Sequence, residues 1–288
     1  MAGLTRGNSE NALRADMEDW DEFLQGRYRE GKSHQEFRQY DRNANSSVSR
    51  FYLANHEGQT LDYVLRKEEE YFGLNKRQMS VWEAADFLNR LVDDSDPDTD
   101  LTQIEHLLQT SEAIRADGHP RWFVVAGFVH DLGKVLCLWG EPQWGVVGDT
   151  FPVGCAYSED IVFPDFFAGN PDLHHPVYST QSGIYEPNCG LNNVHMSFGH
   201  DGYIYEVMKG YLPIESLYML RYHSFYSAHK HGAYRHLMNK QDLEMFQWVE
   251  TFNKYDLYSK GHAKPNLTAL KPYYDELFAE FFPAKIAW

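Results

Sequence analysis

Cysteine is scarce in this 288-residue sequence: three residues, Cys137, Cys155 and Cys189, with no CxxC spacing. So sparse and odd a set argues against a disulfide framework and predicts a reducing, cytoplasmic setting. Basic charge is short as well. Lysine and arginine number 26 against 42 acidic residues, a formal charge of -16, which argues against broad phosphate-backbone binding and hence against a nucleic-acid partner. The first twenty residues, MAGLTRGNSENALRADMEDW, hold no apolar stretch and do not read as a secretory signal. Internal repeats and low-complexity tracts are missing too. Long hydrophobic runs reduce to one, Trp122 to Trp139. It approaches membrane-spanning length, but three ionisable residues near its middle predict a buried helix of a globular protein and no membrane association.

What is present points to a folded, helical chain. Hydrophobic residues make up 43% and aromatics 15%, enough for one large core or two modest ones. Residues 1–36 read as a polar, partly flexible N-terminal arm, and residues 37–288 as a single, mostly α domain with long loops. QTLDYVLRKEEEYFG sets Leu61, Val64, Leu65, Tyr71 and Phe72 on one helical stripe. SVWEAADFLNRLV opens with Ser80 and Glu83 in capping-box spacing, predicting a helix from Val81. DLTQIEHLLQTSEAIRADG runs to Gly118 as a C-terminal cap. Further helices are expected in GHDGYIYEVMKG, in PIESLYMLRYHSFYSA with Pro213 in its first turn, and in QDLEMFQWVETFNKYDLYS. Between Gly140 and Asn193 lie Pro142, Pro152, Pro164, Pro171, Pro176 and Pro187, six of the chain's twelve prolines. That composition predicts functional loops, with room for a short hairpin.

The segment WFVVAGFVHDLGKVLCLW places His130, Asp131 and Lys134 in one apolar helix. An isolated buried charge costs on the order of several kcal/mol, so such groups are paired or bound to metal. Helical phase sorts the fourteen histidines. His200 shares a face with Tyr203, Ile204 and Val207; His223 aligns with Met219 and Leu220; Asp256 falls in the stripe of Met245, Val249 and Phe252. His106 lies off the Leu101, Ile104, Leu108 stripe, beside Thr102, Thr110 and Ala113, a small second face that can line a cavity or be wet. Imidazole and carboxylate suit iron, manganese or zinc. Six such groups with one bridging carboxylate suit two metals about 3.5–4 Å apart. Adjacent helical residues diverge by about 100°, so His130 and Asp131 reach from two sides, and Asp131, with two donor oxygens, is the better bridge.

Each group also has a plainer reading. An inward histidine can be a hydrogen-bonded core residue, and an inward aspartate a cap or an ion-pair partner. Asp131 and Lys134, three apart, can neutralise one another. Recurrence on four separate helices turns the pattern toward a metal site. The remaining histidines, His229 and His231 of an H-x-H, His174 and His175 before Pro176, and His34, His56, His119, His195, His236 and His262, read as surface or loop residues.

The H…HD…D order of His106, His130-Asp131 and Asp256 resembles the HD-domain superfamily of helical metalloenzymes. Longer blocks narrow the likeness: VDDSDPD (92–98), HDLGKVL (130–136), GEPQWGVVGDTFPVGC (140–155), RYHSFY (221–226) and FNKYDLYSK (252–260) resemble the myo-inositol oxygenase family. The likeness runs from about residue 36 to the C-terminus. EVMKGYLPIESLYM is shorter than the family pattern, which bears on that loop but leaves the histidine spacing intact.

The resemblance implies a non-haem di-iron enzyme, Fe(II)/Fe(III), cleaving myo-inositol with O2 to D-glucuronate. One iron would take His106, His130, Asp131 and Asp256; the other, His200 and His223, sharing Asp131. The substrate shell would comprise Arg38, Asp93, Asp94, Ser95, Lys134, Gly148, Asp149, His223, Ser224 and Lys260, with Lys134 and Asp131 as the catalytic pair. A cyclitol presents hydroxyls all round, so its pocket needs many fixed donors and acceptors; Asp93 to Asp98 can equally be a solvated acidic turn. The substrate supplies the four electrons that O2 accepts, so no organic cofactor is expected, and the chain is expected to be a monomer. Two rivals remain at this point. An HD-type metal-dependent phosphohydrolase would want several basic residues near the metals, whereas Lys134 and Lys260 beside an acidic loop fit a neutral polyol better. A non-enzymatic helical interaction protein would pair its buried polar groups internally.

Overall fold

A computed structural model describes residues 47–89, 102–258 and 265–288. Its framework is helical: α1 (Ser47–Gly58), α2 (Leu61–Tyr71), α3 (Val81–Asn89), α4 (Gln103–Ala116), α5 (Arg121–Val129), α6 (His200–Met208), α7 (Ile214–Tyr222), the single turn α8 (Tyr226–His229), α9 (Lys240–Tyr258) and α10 (Leu267–Phe281). Two short strands, β1 (Gln78–Met79) and β2 (Ile286–Ala287), pair antiparallel with Gln78 opposite Ala287. That pairing draws the chain end inward, where Trp288 is fully buried and its indole N–H donates to Met79 O (3.2 Å).

Local chemistry explains the ends that matter. At α3 the capping box forms as expected: Glu83 N donates to Ser80 Oγ (3.1 Å) and Ser80 N to the Glu83 carboxylate (2.7 Å). A second box, Thr102 with Glu105, opens α4 and holds His106 in its first turns. Gly118, with φ +74°, follows the α4 cap. On α2, Leu61, Val64 and Tyr71 are buried, whereas Leu65 is exposed.

Two long helices expected from the sequence are broken. The apolar run 121–139 is an α-helix only to Val129; after His130 and Asp131 it tightens into a 3-10 helix, Leu132–Trp139. Within that 3-10 turn Gly133 meets the first turn of α6 so closely that a Cβ would sit 2.2 Å from His200 O. Gly127 lets α5 lie as closely on α4, against Ser111 and Ile114. The 121–139 run is long and apolar enough to cross a bilayer, but its most apolar window is 83% buried within the protein. In the same way PIESLYMLRYHSFYSA divides into α7 and α8, with His223 capping α7 and Ser224 in the break.

The proline-rich stretch 140–193 is loop and short 3-10 turns (Gln143–Gly145, Pro164–Gly169, Pro171–His174, Leu191–Asn193). It forms no hairpin; a lone antiparallel bridge joins Pro152 to Met196. These loops are packed, with Phe151, Val153, Phe167 and Leu191 each at 2% exposure or less.

The Gly133 contact yields a test. Gly133→Ala should cost about 1–3 kcal/mol in denaturant unfolding, the range for overpacking a filled interior. Gly73→Ala, whose Cβ would meet only the Asn75 side chain at 3.6 Å, should change stability far less.

Candidate metal centre

Helix ends converge on one buried point. His130 caps the C-terminus of α5 and Asp131 begins the 3-10 turn, so the two leave the backbone where its winding changes. His200 is the first residue of α6, His223 caps α7, His106 lies early in α4, and Asp256 lies in the last turns of α9. His130, Asp131, His200, His223 and Asp256 are all buried, and His106 is partly so.

The ligand atoms fall into two sets, His106–His130–Asp256 and Asp131–His200–His223, each with its atoms within 4.8 Å of one another. Asp131 joins them. Its Oδ2 lies 3.5 Å from His106 Nε2 and 3.4 Å from His130 Nε2, while its Oδ1 lies 3.4 Å from His200 Nε2. Asp256 Oδ1 completes the first set at 3.3 Å from His130 Nε2 and 3.8 Å from His106 Nε2. In the second, His200 Nε2 and His223 Nε2 are 3.2 Å apart. Ligands sharing one ion at bonds of about 2.0–2.2 Å stand about 3 Å apart, so both spacings suit metal binding.

Three rings are oriented through their other nitrogen. Nδ1–H donates to Gly127 O from His130 (2.9 Å), to Val146 O from His200 (2.7 Å) and to Leu220 O from His223 (3.0 Å). That fixes the tautomer and aims the Nε2 lone pair inward, the usual arrangement behind a metal ligand. His130 Nε2 is buried and makes no hydrogen bond among the described residues. Phe252, fully buried, packs edge-on to the His130 ring at 5.4 Å.

Electrostatics keeps the carboxylates ionised. Burial pushes Asp131 up, but Lys134, His130, His106 and His200 together outweigh it and hold the carboxyl well below its usual range. Burial likewise opposes Asp256, and the neighbouring His130 ring overrides it, followed by the charge of His223. The His223 ring is pushed down, chiefly by burial, which favours the neutral form a metal requires. His130 moves the other way: burial lowers its pKa, but Asp131 and Asp256 raise it on balance. A metal arriving there competes with a proton.

The remaining predicted site residues divide. Lys134 is 9% exposed and its Nζ lies 2.7 Å from Asp131 Oδ2, so it does pair with that carboxylate at the edge of the cluster. Asp149 is buried and accepts from Tyr52 OH (3.0 Å); Gly148 before it has φ +100° and packs against Phe51. Ser224 is buried directly after His223. Arg38, Asp93, Asp94, Ser95 and Lys260 lie outside the described residues, as do His34 and His262.

Two assignments change. His56, expected at the surface, is fully buried: it stacks on Phe167 at 4.1 Å, and its ring nitrogens meet Asn55 Oδ1 and Val162 O. Burial drives its pKa down to about 4. Its neighbours Glu57 and Gly58 gave no apolar frame that would betray this. Asp201 was not anticipated at all, yet it is 1% exposed with Oδ1 2.8 Å from His200 Nε2. Its place on the first turn of α6, beside a candidate ligand, was the available signal. Of the H-x-H pair, His231 is exposed, whereas His229 Nε2 meets His223 O (3.1 Å) and so braces the turn behind a candidate ligand.

Comparison with known proteins adds the chemistry of relatives. A family model described as Myo-inositol oxygenase matches residues 45–288. The Arabidopsis thaliana protein "Inositol oxygenase 1" is 51% identical over 261 residues, spanning 88% of this chain and 84% of that one. "Inositol oxygenase" of Bos taurus is 51% identical over 243 residues, 82% and 85% of the two chains. "Inositol oxygenase" of Dictyostelium discoideum is 47% identical over 267 residues, 89% and 91%.

The split contacts of Asp131 predict an asymmetric result from substitution. Asp131→Ala should empty both clusters of metal, measured by metal analysis after chelator-controlled dialysis. His231→Ala should retain the wild-type content. The opposite pattern would contradict the geometry.

Proposed function

The chain belongs to the myo-inositol oxygenase family, and on that premise we propose that its two clusters hold a pair of iron ions, Fe(II) and Fe(III), at which O2 opens the myo-inositol ring to give D-glucuronate. The protein is an enzyme, an inositol oxygenase, and its buried histidine and aspartate groups are consistent with metal use. The observation that carries the two-ion reading is the division of Asp131, one oxygen toward His106 and His130 and the other toward His200. His106, His130 and Asp256 would hold one ion and His200 and His223 the other. The residues fit: the donors are nitrogen and oxygen without thiolate, as iron accepts, three rings turn Nε2 inward, and the buried His130 Nε2 makes no hydrogen bond among the described residues.

Bound iron would supply the redox chemistry that activates O2 and the Lewis acidity that acidifies a coordinated hydroxyl. The protein's own groups do the rest. Lys134, an ammonium beside the cluster, is placed to stabilise negative charge developing on a substrate oxygen. Asp149, the Gly148 backbone and Ser224 offer fixed partners for ring hydroxyls, joined in this reading by Arg38, Asp93, Asp94, Ser95 and Lys260. Positioning of this kind lets a site reject polyols whose hydroxyls would leave buried partners unmatched. Electrons balance without an organic cofactor: the ring gives up four, O2 accepts four, one oxygen atom enters the new carboxylate and the other leaves as water. The same reading makes the enzyme a cytoplasmic monomer, in keeping with its three free cysteines. The phosphohydrolase alternative is not favoured, because the family matched is the oxygenase family.

Anaerobic reconstitution should give close to two irons per chain, and zinc in a single site without iron-dependent activity would remove the di-iron assignment. With 18O2 and myo-inositol, turnover should consume one O2 per glucuronate and label one carboxylate oxygen; unlabelled product, after correction for exchange, would remove the oxygenase reading. Lys134→Ala should keep its iron yet lose roughly 10²–10³-fold in kcat, the scale of removing one oxyanion-type donor.

A further inference from the structure

Asp201 stands apart from the six groups assigned above, yet its carboxylate lies against both histidines of the second cluster. Oδ1 lies 2.8 Å from His200 Nε2 and 3.5 Å from His223 Nε2, and accepts from Ser224 Oγ at 3.2 Å. Oδ2 accepts from the Ser224 backbone N–H and from Thr150 Oγ1, both at 3.1 Å. Thr150 N–H in turn donates to Ser224 O at 3.0 Å, closing a ring of hydrogen bonds between segments distant in sequence. Burying a carboxylate to 1% exposure is costly unless donors meet it, and here the Ser224 hydroxyl, the Ser224 N–H and the Thr150 hydroxyl do.

The two clusters also differ in their carboxylates. Among the described residues, Asp256 and one oxygen of Asp131 lie against His106 and His130, whereas the other oxygen of Asp131 lies against His200, and Asp201 against His200 and His223. Thr150 follows Asp149, and Ser224 follows His223, so the same carboxylate ties two proposed substrate-binding segments to the second cluster.

We infer that Asp201 is a positioning residue that fixes His200 and His223 relative to the Gly148–Thr150 loop and Ser224, and that it gives the second cluster its own negative charge. The inference rests on the proposed two-ion reading. It couples metal occupancy of the second cluster to the placement of the polyol hydroxyls, while leaving the first cluster untouched.

Asp201→Asn keeps the shape and removes the charge; Thr150→Val removes one arm of the ring. Metal titration of each protein is run with Co(II) as well as Fe(II), beside melting of the metal-free protein and the KM and kcat for myo-inositol. For Asp201→Asn the second equivalent of metal should bind about 10–100-fold more weakly, the scale seen for outer partners of ligands, with the first equivalent unchanged and KM raised. Thr150→Val should raise KM and leave both equivalents in place. Wild-type affinity for both equivalents in Asp201→Asn overturns the inference, as does equal weakening of both with a matching fall in melting temperature. The Co(II) titration reads Asp201 even if O2 uptake with myo-inositol fails, a failure that counts against the oxygenase reading alone.

Discussion

A single buried carboxylate organises the interior. Asp131 is 5% exposed and is met from four directions by Lys134, His106, His130 and His200. A carboxylate so placed is tolerable only because positive or hydrogen-bonding groups surround it; His130 and Lys134 come from its own segment, and His106 and His200 from two others. Removing one partner would leave the buried carboxylate less well compensated, so electrostatics helps to hold these elements to a common centre. Both oxygens are used, toward different histidines, which is the geometric basis of a bridging role.

The helices are shaped to serve that point. α5 stops where His130 and Asp131 must diverge, and α7 stops at His223, where a continuing helix would have carried Ser224 elsewhere. Close backbone approach at Gly133 brings α6 against the 3-10 turn, so His200 and Asp131 face each other across a contact that admits no Cβ. The Val146 carbonyl accepts both the backbone N–H and the ring N–H of His200, making a loop residue part of the metal centre's rigid frame.

The wall of loops is braced from α1 and the residue after it. Asn55 Nδ2 donates to Trp144 O, Tyr52 OH to Asp149, and Gln59 exchanges two hydrogen bonds with the backbone of Phe198. These bonds fix both the 143–149 loop and the segment leading into α6. Loops packed on buried anchors make a preformed wall of the kind that small-molecule sites use. His56 belongs to this bracing: its ring stacks on Phe167 behind the loop and is no part of the metal centre.

Much of the site was legible in the amino-acid order, because helical periodicity exposes any polar group set in an apolar stripe. His130, Asp131, His200, His223 and Asp256 could be picked out that way, and the Ser80–Glu83 capping box fixed the start of α3. His106 was ambiguous by phase, and the structure leaves it only partly buried. What periodicity could not supply was the break at His130-Asp131, the break at Ser224, or the burial of His56 and Asp201. Those depend on contacts between segments tens of residues apart, where one missing Cβ or one carbonyl decides which conformation packs. Residue type and spacing determined which chemistry the chain can carry; only the tertiary structure decided which carboxylate oxygen faces which ring, because that is set by long-range packing.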